Sequence, residues 1–494
     1  MKLGIDFGTS FSVPATSYLG QNIILLPDGK YGVPSVFFYS DWEGILIGEG
    51  AEQAGQGDEA KNLKREIKLA LNSKFTVDKE IFTAKQIVGH ILSFIKDSAI
   101  NTASTKLINE PLEGVVISVP ARFSHNEKEV IKQAAEIPSS QGGPEFNVLG
   151  FIKEPVAAAL AYFETALEDN TKVLVYDLGG GTCDIAIVEA NSSLQEKYTV
   201  IDSDMIRLGG KDWDSKLEQY ILNEVEKQSG ENLSNNAGYL EKIKREAIIT
   251  KHSFSECIAG QYRNRVRARV EINGRTYTVP ITKALFDELT IDLFYKTLNL
   301  TKTLLDRNDG NSITNIICVG GGSNMPQVNE GLKRMFPSKT IQIFEPEKAI
   351  AVGAAIYAQY CSDKTDFLSD IAAFSYGSRC LKDHAKNFED LIVVNLIKKG
   401  DKLPNTSKHG FSTVIDNQRQ VLFRIIENLN IVDEYDYDKH NDPHIMDVIL
   451  EMPPNMPEGT SVTLYMTLTM DGIIEVKADD NNGHTITAKK QLYF

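Results

Sequence analysis

Over roughly the first 360 residues, short β-branched runs alternate with stretches in which apolar residues recur every third or fourth position. KLGIDFG (2–8), GVVISVP (114–120), KVLVYDLG (172–179) and TNIICVGGG (314–322) predict strands, each closing on a turn. NEKEVIKQAAE (126–136), EPVAAALAYFETAL (154–167) and KALFDELTIDLFYKTLNLTKTLLD (283–306) predict helices. Such alternation implies an α/β architecture. The texture then changes. Polar CSDKTDFLSD (361–370) follows the last alanine-rich helix, EKAIAVGAAIYAQY (347–360), and is read as a linker. Beyond it LIVVNLI, QVLFRIIE, SVTLYMTLTM and GIIEVKAD are strand-like, separated by DNQ, MPPNMPEG, MDG and DDNNGH turns. No long helical pattern interrupts them, so residues 371–494 predict a separate all-β domain.

Composition narrows the function classes. The 494 residues suffice for about three domains. A formal net charge of -15, from 52 basic and 67 acidic residues, repels nucleic acid and anionic membranes. A phosphate-bearing ligand therefore has to be held by local geometry. Five cysteines without CxxC spacing fit neither a disulfide framework nor a zinc site, and reduced thiols in a cytoplasmic protein are the simpler account. No apolar run reaches the length of a membrane helix, and Asp6 interrupts the N-terminal apolar run, against a signal peptide.

The candidate chemistry lies in the glycines. Asp177 closes a strand, Gly179, Gly180 and Gly181 form a turn, and Thr182 opens CDIAIVEA. The same order occurs at Asp6, Gly8, Thr9, Ser10 and Phe11, before SVPATSYL. A tight turn with free backbone N–H groups makes an anion nest, and glycine lets a phosphate come close. Strand-end aspartates can hold a hydrated Mg²⁺. One glycine run alone is more often an empty hairpin; two copies with Asp and Thr in the same places suggest two similar halves gripping phosphates and metal. Two further loops each precede a helix, Gly209-Gly210 and Gly320-Gly321-Gly322, where N–H groups and the helix dipole favour an anion. No GxxxxGK[ST] occurs, so P-loop chemistry is excluded.

These elements, in this order, resemble the actin-like ATPase superfamily, and most closely the DnaK-type heat shock protein 70 chaperones. The matching segments are IDFGTSFS (5–12), VVISVPARF (115–123), EPVAAALAYF (154–163), VYDLGGGTCDIAIV (175–188), LGGKDWD (208–214), CVGGGSNMP (318–326) and AIAVGAAIYA (349–358). FSTVIDNQRQVLFRI (411–425) and GIIEVKADDNNGHTITAKK (472–490) resemble a strand pair and the closing strands of the family's peptide-binding β-domain. The resemblance implies a two-lobed actin-like (ribonuclease H-like) ATPase domain over 1–360, with lobes near 1–165 and 166–360. A linker at 361–370 and an all-β sandwich at 371–494 would follow.

The resemblance also implies roles. Asp6 and Asp177 would organise Mg²⁺ and the attacking water; Thr9, Ser10 and Thr182 would hold the β- and γ-phosphates of ATP or ADP. Glu154, opening its helix, would join that network, although an acid in a first helical turn is ordinary. Lys64, first of the Lys-Arg pair in NLKREIKLAL, would reach the γ-phosphate; the alternatives are a solvated charge there or a neighbouring lysine, Lys61 or Lys68. Gly209, Gly210, Gly320, Gly321 and Gly322 would pass close to the nucleotide. Positioning and charge neutralisation carry phosphoryl transfer of this kind.

The base end departs from the family pattern. Lys251 and Ser255 match the adenosine loop E-x-x-K-x-x-x-S, but Ile248 stands at the glutamate position and Asn324 at the arginine position. An amide stacks poorly on adenine, so weaker adenine grip is expected. The apolar family linker has only Phe367-Leu368 as a counterpart. The sequence ends at Phe494, directly after the β-domain, which implies a version without the family's helical lid. Val421 and Phe423 align with pocket-lining positions and equally with core ones. The leading expectation is an ATPase chaperone that binds unfolded or extended polypeptide, works with co-chaperones, and engages neither nucleic acid nor membrane. The alternative is a nucleotide-gated module with little hydrolysis and one dedicated partner. A small-molecule kinase fits the β-domain less well.

Overall fold

The run KLGIDF forms strand β1 (Lys2–Phe7), central to a sheet whose inner positions are apolar. The computed structural model describes residues 1–56, 59–165, 171–191, 197–258, 261–361, 367–382, 389–440, 442–469, 472–480 and 483–491. The predicted linker positions 362–366 and the centre of the polar segment after β-domain residue 382, 383–388, lie outside the described residues. The chain divides into two units. The first comprises 1–121, 130–194 and 203–365; the second comprises 122–129, 195–202 and 366–494.

In the first unit β1 pairs antiparallel with β2 (Phe11–Tyr18), which pairs with β3 (Gln21–Ile24). On its other side β1 runs parallel to β4 (Gly114–Val119), and β4 to β5 (Val148–Lys153). A second sheet is built alike. The hairpin β6 (Thr171–Leu178) and β7 (Cys183–Ala190) leads to β8 (Tyr198–Ile206). Parallel to β6 run β9 (Asn315–Val319) and then β10 (Thr340–Ile343). The echo seen in the sequence is thus structural: β1–β2 and β6–β7 are the same hairpin, each flanked by parallel strands.

Helices cover these sheets, and two of them, at 84–105 and 237–255, are not among those read from the sequence. The helices are α1 (Ala84–Thr105), α2 (His125–Ala135), α3 (Glu154–Thr165), α4 (Gly210–Ser229), α5 (Ala237–Ser255), α6 (Lys283–Asp306), α7 (Pro326–Met335) and α8 (Ala349–Tyr360). Thr83 caps α1 in a reciprocal box with Gln86, satisfying two backbone N–H groups otherwise orphaned at a helix start. Helices α3 and α8 carry small residues and approach closely. A methyl group on Gly353 would overlap the Ala157 carbonyl of α3, and one on Gly4 of β1 would overlap the Ala355 backbone of α8. Glycine is the only residue that leaves room there.

In the second unit, β11 (Leu368–Ser369) pairs in parallel with Tyr198–Thr199. One antiparallel sheet uses β12 (Ser375–Leu381), β13 (Leu391–Ile397), β15 (Gln420–Asn428), β16 (Glu434–Asp436) and β17 (His444–Glu451), ordered β16-β13-β12-β15-β17. The other is β14 (Asn405–Ser412), β18 (Ser461–Leu468), β19 (Ile473–Asp479) and β20 (Thr485–Gln491), in that order. The two sheets share one core, with Tyr376, Leu396, Phe423 and Ile425 from the first, and Val462, Leu464, Met466, Ile474 and Val476 from the second. Among the described residues after 361 there is no helix. FSTVIDNQRQVLFRI proves not to be one paired hairpin: β14 and β15 belong to different sheets. Their connection crosses the edge of the core, tied by Thr413 N–H to the Thr460 carbonyl (3.0 Å).

Glu427, at the end of β15, is 3% exposed. The Tyr376 hydroxyl donates to it (3.2 Å), as does the His125 backbone N–H (3.4 Å). Burial pushes its carboxyl up to about 7 despite the Lys128 charge and these bonds. Burial, with Lys490 nearby, pulls the His125 imidazole down to about 4. The two slopes oppose one another. Between pH 4.5 and 7 the unfolded chain has released the Glu427 proton and the folded chain keeps it, so that contribution to stability falls as pH rises. Between pH 4 and 6.5 the unfolded chain protonates His125 and the folded chain does not, so that contribution rises with pH. Glu427→Gln is expected to raise unfolding stability at pH 8 by roughly 3 kcal/mol, and to leave the His125 slope alone. Urea titrations at pH 5 and pH 8 check this; equal gains at both values would contradict it.

Candidate functional site

The two glycine turns face each other. A methyl on Gly180 would overlap Ser10 Oγ, and one on Gly181 would lie 2.9 Å from Thr9 Oγ1. The third glycine loop closes over the second turn: Gly210 N–H donates to the Gly179 carbonyl and Lys211 N–H to that of Gly180, both at 2.9 Å. A methyl on Gly209 would sit 2.5 Å from Gly181 N. The fourth loop reaches the same place. Gly320, at φ 77°, packs against Asp177 Oδ1 and the Leu178 carbonyl, a conformation and a spacing that a side chain would forbid. Four loops scattered between residues 8 and 322 thus form one backbone-lined cradle. Phe11, at its rim, is half exposed.

Beneath the cradle lie four carboxylates: Asp6 at the end of β1, Asp177 at the end of β6, Asp184 paired opposite Asp177 on β7, and Glu154 at the start of α3. Ser118 Oγ donates to Asp6 Oδ1 (3.0 Å) and Ala121 N–H to Asp184 Oδ1 (2.6 Å). The cation among them is Lys68, 3% exposed, whose ammonium donates to the Phe7 carbonyl and to Glu154 Oε1, each at 2.5 Å. Burial raises Asp6 to about 7, helped by the Glu154 charge and opposed by Lys68. Asp184 reaches about 7 for the same leading reasons, and Asp177 is raised well above the usual range by burial and by Glu154, Asp184 and Asp6. One cation does not balance four buried acids.

Lys64 is not at this cluster. Its ammonium donates to the carbonyl of Lys61 (2.6 Å), and its backbone bridges to Phe37. Between Lys64 and Lys68 the chain turns through Glu66 at φ 60° into a short 3₁₀ turn, which delivers Lys68 instead. The lysine at the acidic cluster stands four residues after Lys64. Its signal was the setting: Lys68 stands between Ile67 and Leu69 in an apolar run, where a lysine is buried. Arg65 of the same pair grips Glu52 and Glu241 (2.6 Å to the latter), tying the segment to α5.

The remaining predicted residues divide. Thr9 and Thr182 are buried at the turns, and Thr182 hydrogen-bonds Asp184. Lys251 is turned to the protein itself, donating to Asp214 Oδ2 (2.6 Å) and the Gly210 carbonyl (3.0 Å). Ser255 donates to the Lys251 carbonyl in its own helix. Asn324 ends a 3₁₀ turn, Gly321–Asn324, half-buried. In the β-domain Phe423 is 2% exposed and stands edge-on to Phe411, ring centres 5.5 Å apart; Val421 packs on the same core. Both face the core; the sequence reading missed Phe411 beside them and Ser118 at the acidic cluster, and gave no role to Asp184, which follows the second glycine turn.

The residues fit a divalent cation. Among the described residues Asp177 Oδ1 and Asp184 Oδ2 are buried without a hydrogen-bond partner, which is costly unless something positive or donating fills the space between them. No group of three described His, Cys, Asp or Glu side chains is arranged to hold a metal directly.

The sequence pattern of the family described as Hsp70 protein matches residues 46–492. The chain belongs to the Hsp70 family. That family is one of ATP-binding chaperones, generally ATPases, which bind ATP or ADP with Mg²⁺ and take unfolded polypeptides as partners. The Hsp70 match reaches into both units and takes in Lys68, Glu154, the glycine turn at 179–181 and the two-sheet domain, whereas the first glycine turn, at residues 8–11, lies before it. No described helix is long and apolar enough to cross a membrane.

Proposed function

We propose that this Hsp70 protein is an ATP-hydrolysing chaperone. Its actin-like ATPase domain would occupy 1–360 and its peptide-binding β-sandwich 371–494. The observation that carries the reading is the opposition of the two glycine turns over Lys68 and the partnerless oxygens of Asp177 and Asp184. In this reading the backbone N–H groups of both turns, with Thr9, Ser10 and Thr182, hold the phosphates. Lys68, fixed by Glu154 and the Phe7 carbonyl, would neutralise charge on the transferring phosphoryl group. Asp177, whose carboxyl is pushed up by burial and by the neighbouring Glu154, Asp184 and Asp6, would accept a proton from the attacking water. Mg²⁺, which Asp6 and Asp177 would hold through water, supplies neutralisation of phosphate charge. Extended apolar polypeptide would bind in the β-domain beside Phe411, Val421 and Phe423.

A second reading is a nucleotide-gated module with little hydrolysis and one dedicated partner. It is favoured by Ile248 and Asn324 at the base end and by the burial of Phe423, whose ring fills the space beside Phe411. Calorimetry with ATP, ADP and GTP, followed by release of a labelled apolar peptide, separates the two. Chaperone action gives ATP-accelerated release. Nucleotide binding without effect on a generic peptide supports the module, and absence of nucleotide binding overturns both.

A further inference from the structure

The inner face of β14 breaks the pattern of the domain it belongs to. Asn405, Ser407, His409 and Phe411 lie directly opposite Leu468, Met466, Leu464 and Val462 of β18, all four of which are buried in the shared core. Residues directly opposite on paired strands share a face. Three polar side chains in a row therefore point inward where the partner strand points leucine and methionine. Inward polar groups are costly when left without partners. Here they border a cleft of about 400 Å³, lined also by Lys398, Lys408 and Asp433.

Most of the cleft wall is already paired. Lys398 holds Asp433 (2.6 Å), and its backbone N–H donates to Asp401 (2.8 Å). Asn395 donates to the Asn430 and Val432 carbonyls and accepts from Asn428. The floor is not paired. Among the described residues the side chains of Asn405, Ser407 and Lys408 have no hydrogen-bond or ion-pair partner. The strand that carries them is the first in its sheet, with β18 on one side only, so a row of its backbone groups faces outward.

We propose that this cleft binds an extended polypeptide strand of polar sequence with at least one acidic side chain, added to the free edge of β14. Side chains on one face of a strand recur every ~6.6–6.8 Å, and Asn405, Ser407 and His409 repeat at that interval, one for each alternate side chain of an added strand. The unpaired ammonium of Lys408 selects the acid. Main-chain bonds along an edge supply affinity, and alternate pockets supply specificity. This site is separate from the apolar one proposed above: at Phe411 the row turns apolar and meets Phe423.

The test uses the full chain and a fluorescein-labelled heptapeptide alternating threonine and glutamate, read by anisotropy, with a labelled apolar heptapeptide in parallel. The polar peptide is expected to bind. Lys408→Glu is expected to weaken it at least tenfold. The double variant Ser407→Val, His409→Leu, which replaces the inward polar row by apolar side chains and so favours folding, is expected to do the same. Apolar-peptide affinity should stay within twofold in both variants. Unchanged polar-peptide affinity in the two variants overturns the proposal, as does displacement by equal concentrations of citrate or by the apolar peptide. Loss of apolar-peptide binding alone would count against the chaperone reading and leave this one standing.

Discussion

Lys68→Ala is expected to lower ATP turnover by about a hundredfold to a thousandfold, the scale seen when one preorganised donor to a developing charge is removed. The expectation rests on placement. The ammonium is buried, held from two sides by the Phe7 carbonyl and Glu154, and its charge opposes the upward push on the Asp6, Asp177 and Asp184 carboxyls. Removing it would, on the proposed reading, take away a donor to the phosphate, and it removes the charge that opposes the upward push on Asp6, Asp177 and Asp184. Nucleotide affinity is expected to fall much less, because the backbone cradle is untouched. Lys64→Ala, by contrast, loses only a bond to the Lys61 carbonyl and is expected to keep turnover within twofold. Single-turnover kinetics on both variants, with ADP calorimetry beside them, decide the matter. Full activity in Lys68→Ala, or loss in Lys64→Ala, would return the role to the earlier lysine.

Gly353→Leu is expected to prevent folding of the first unit. Ordinary overpacking costs about 1–3 kcal/mol because side chains shift to make room. Here the obstacle is backbone: the added carbon overlaps the Ala157 carbonyl, and Gly4 of β1 meets α8 in the same way on its other side. Neither helix can move without opening the sheet that positions Asp6. Even Gly353→Ala should lower stability measurably. Gly50→Ala, whose added carbon meets open space, should not. Urea unfolding followed by tryptophan emission suits the test, since Trp213 is buried at 0% exposure in α4 while Trp42 is 92% exposed. A Gly353→Leu protein with native stability would show that α3 and α8 pack less rigidly than their contact implies.

The glycine turns were readable in the sequence because the proposed phosphate nest would impose composition: Asp, Gly and Thr follow one another in both copies. Asp6, Asp177 and Thr182 declare themselves for that reason. Lys68 did not, because nothing in spacing reveals a left-handed residue at Glu66, which shifts the register by a turn. Asp184 escaped for another reason. It is supplied by the second strand of its hairpin, and the corresponding residue of the first hairpin, opposite Asp6, is Val13. The β-domain strands were legible from alternation, but not their assignment to sheets. Pairing of Leu368–Ser369 with Tyr198–Thr199 joins positions far apart in the chain, and local pattern carries no trace of it.

The four acids beneath the cradle carry a consequence for thermodynamics as well as for catalysis. With Asp6 and Asp184 pushed up to about 7, the unliganded site stores protons near neutrality. Filling it with positive charge must discharge them. On the proposed reading, the grip on nucleotide would therefore be coupled to the acidity of the surrounding solution before any bond is broken.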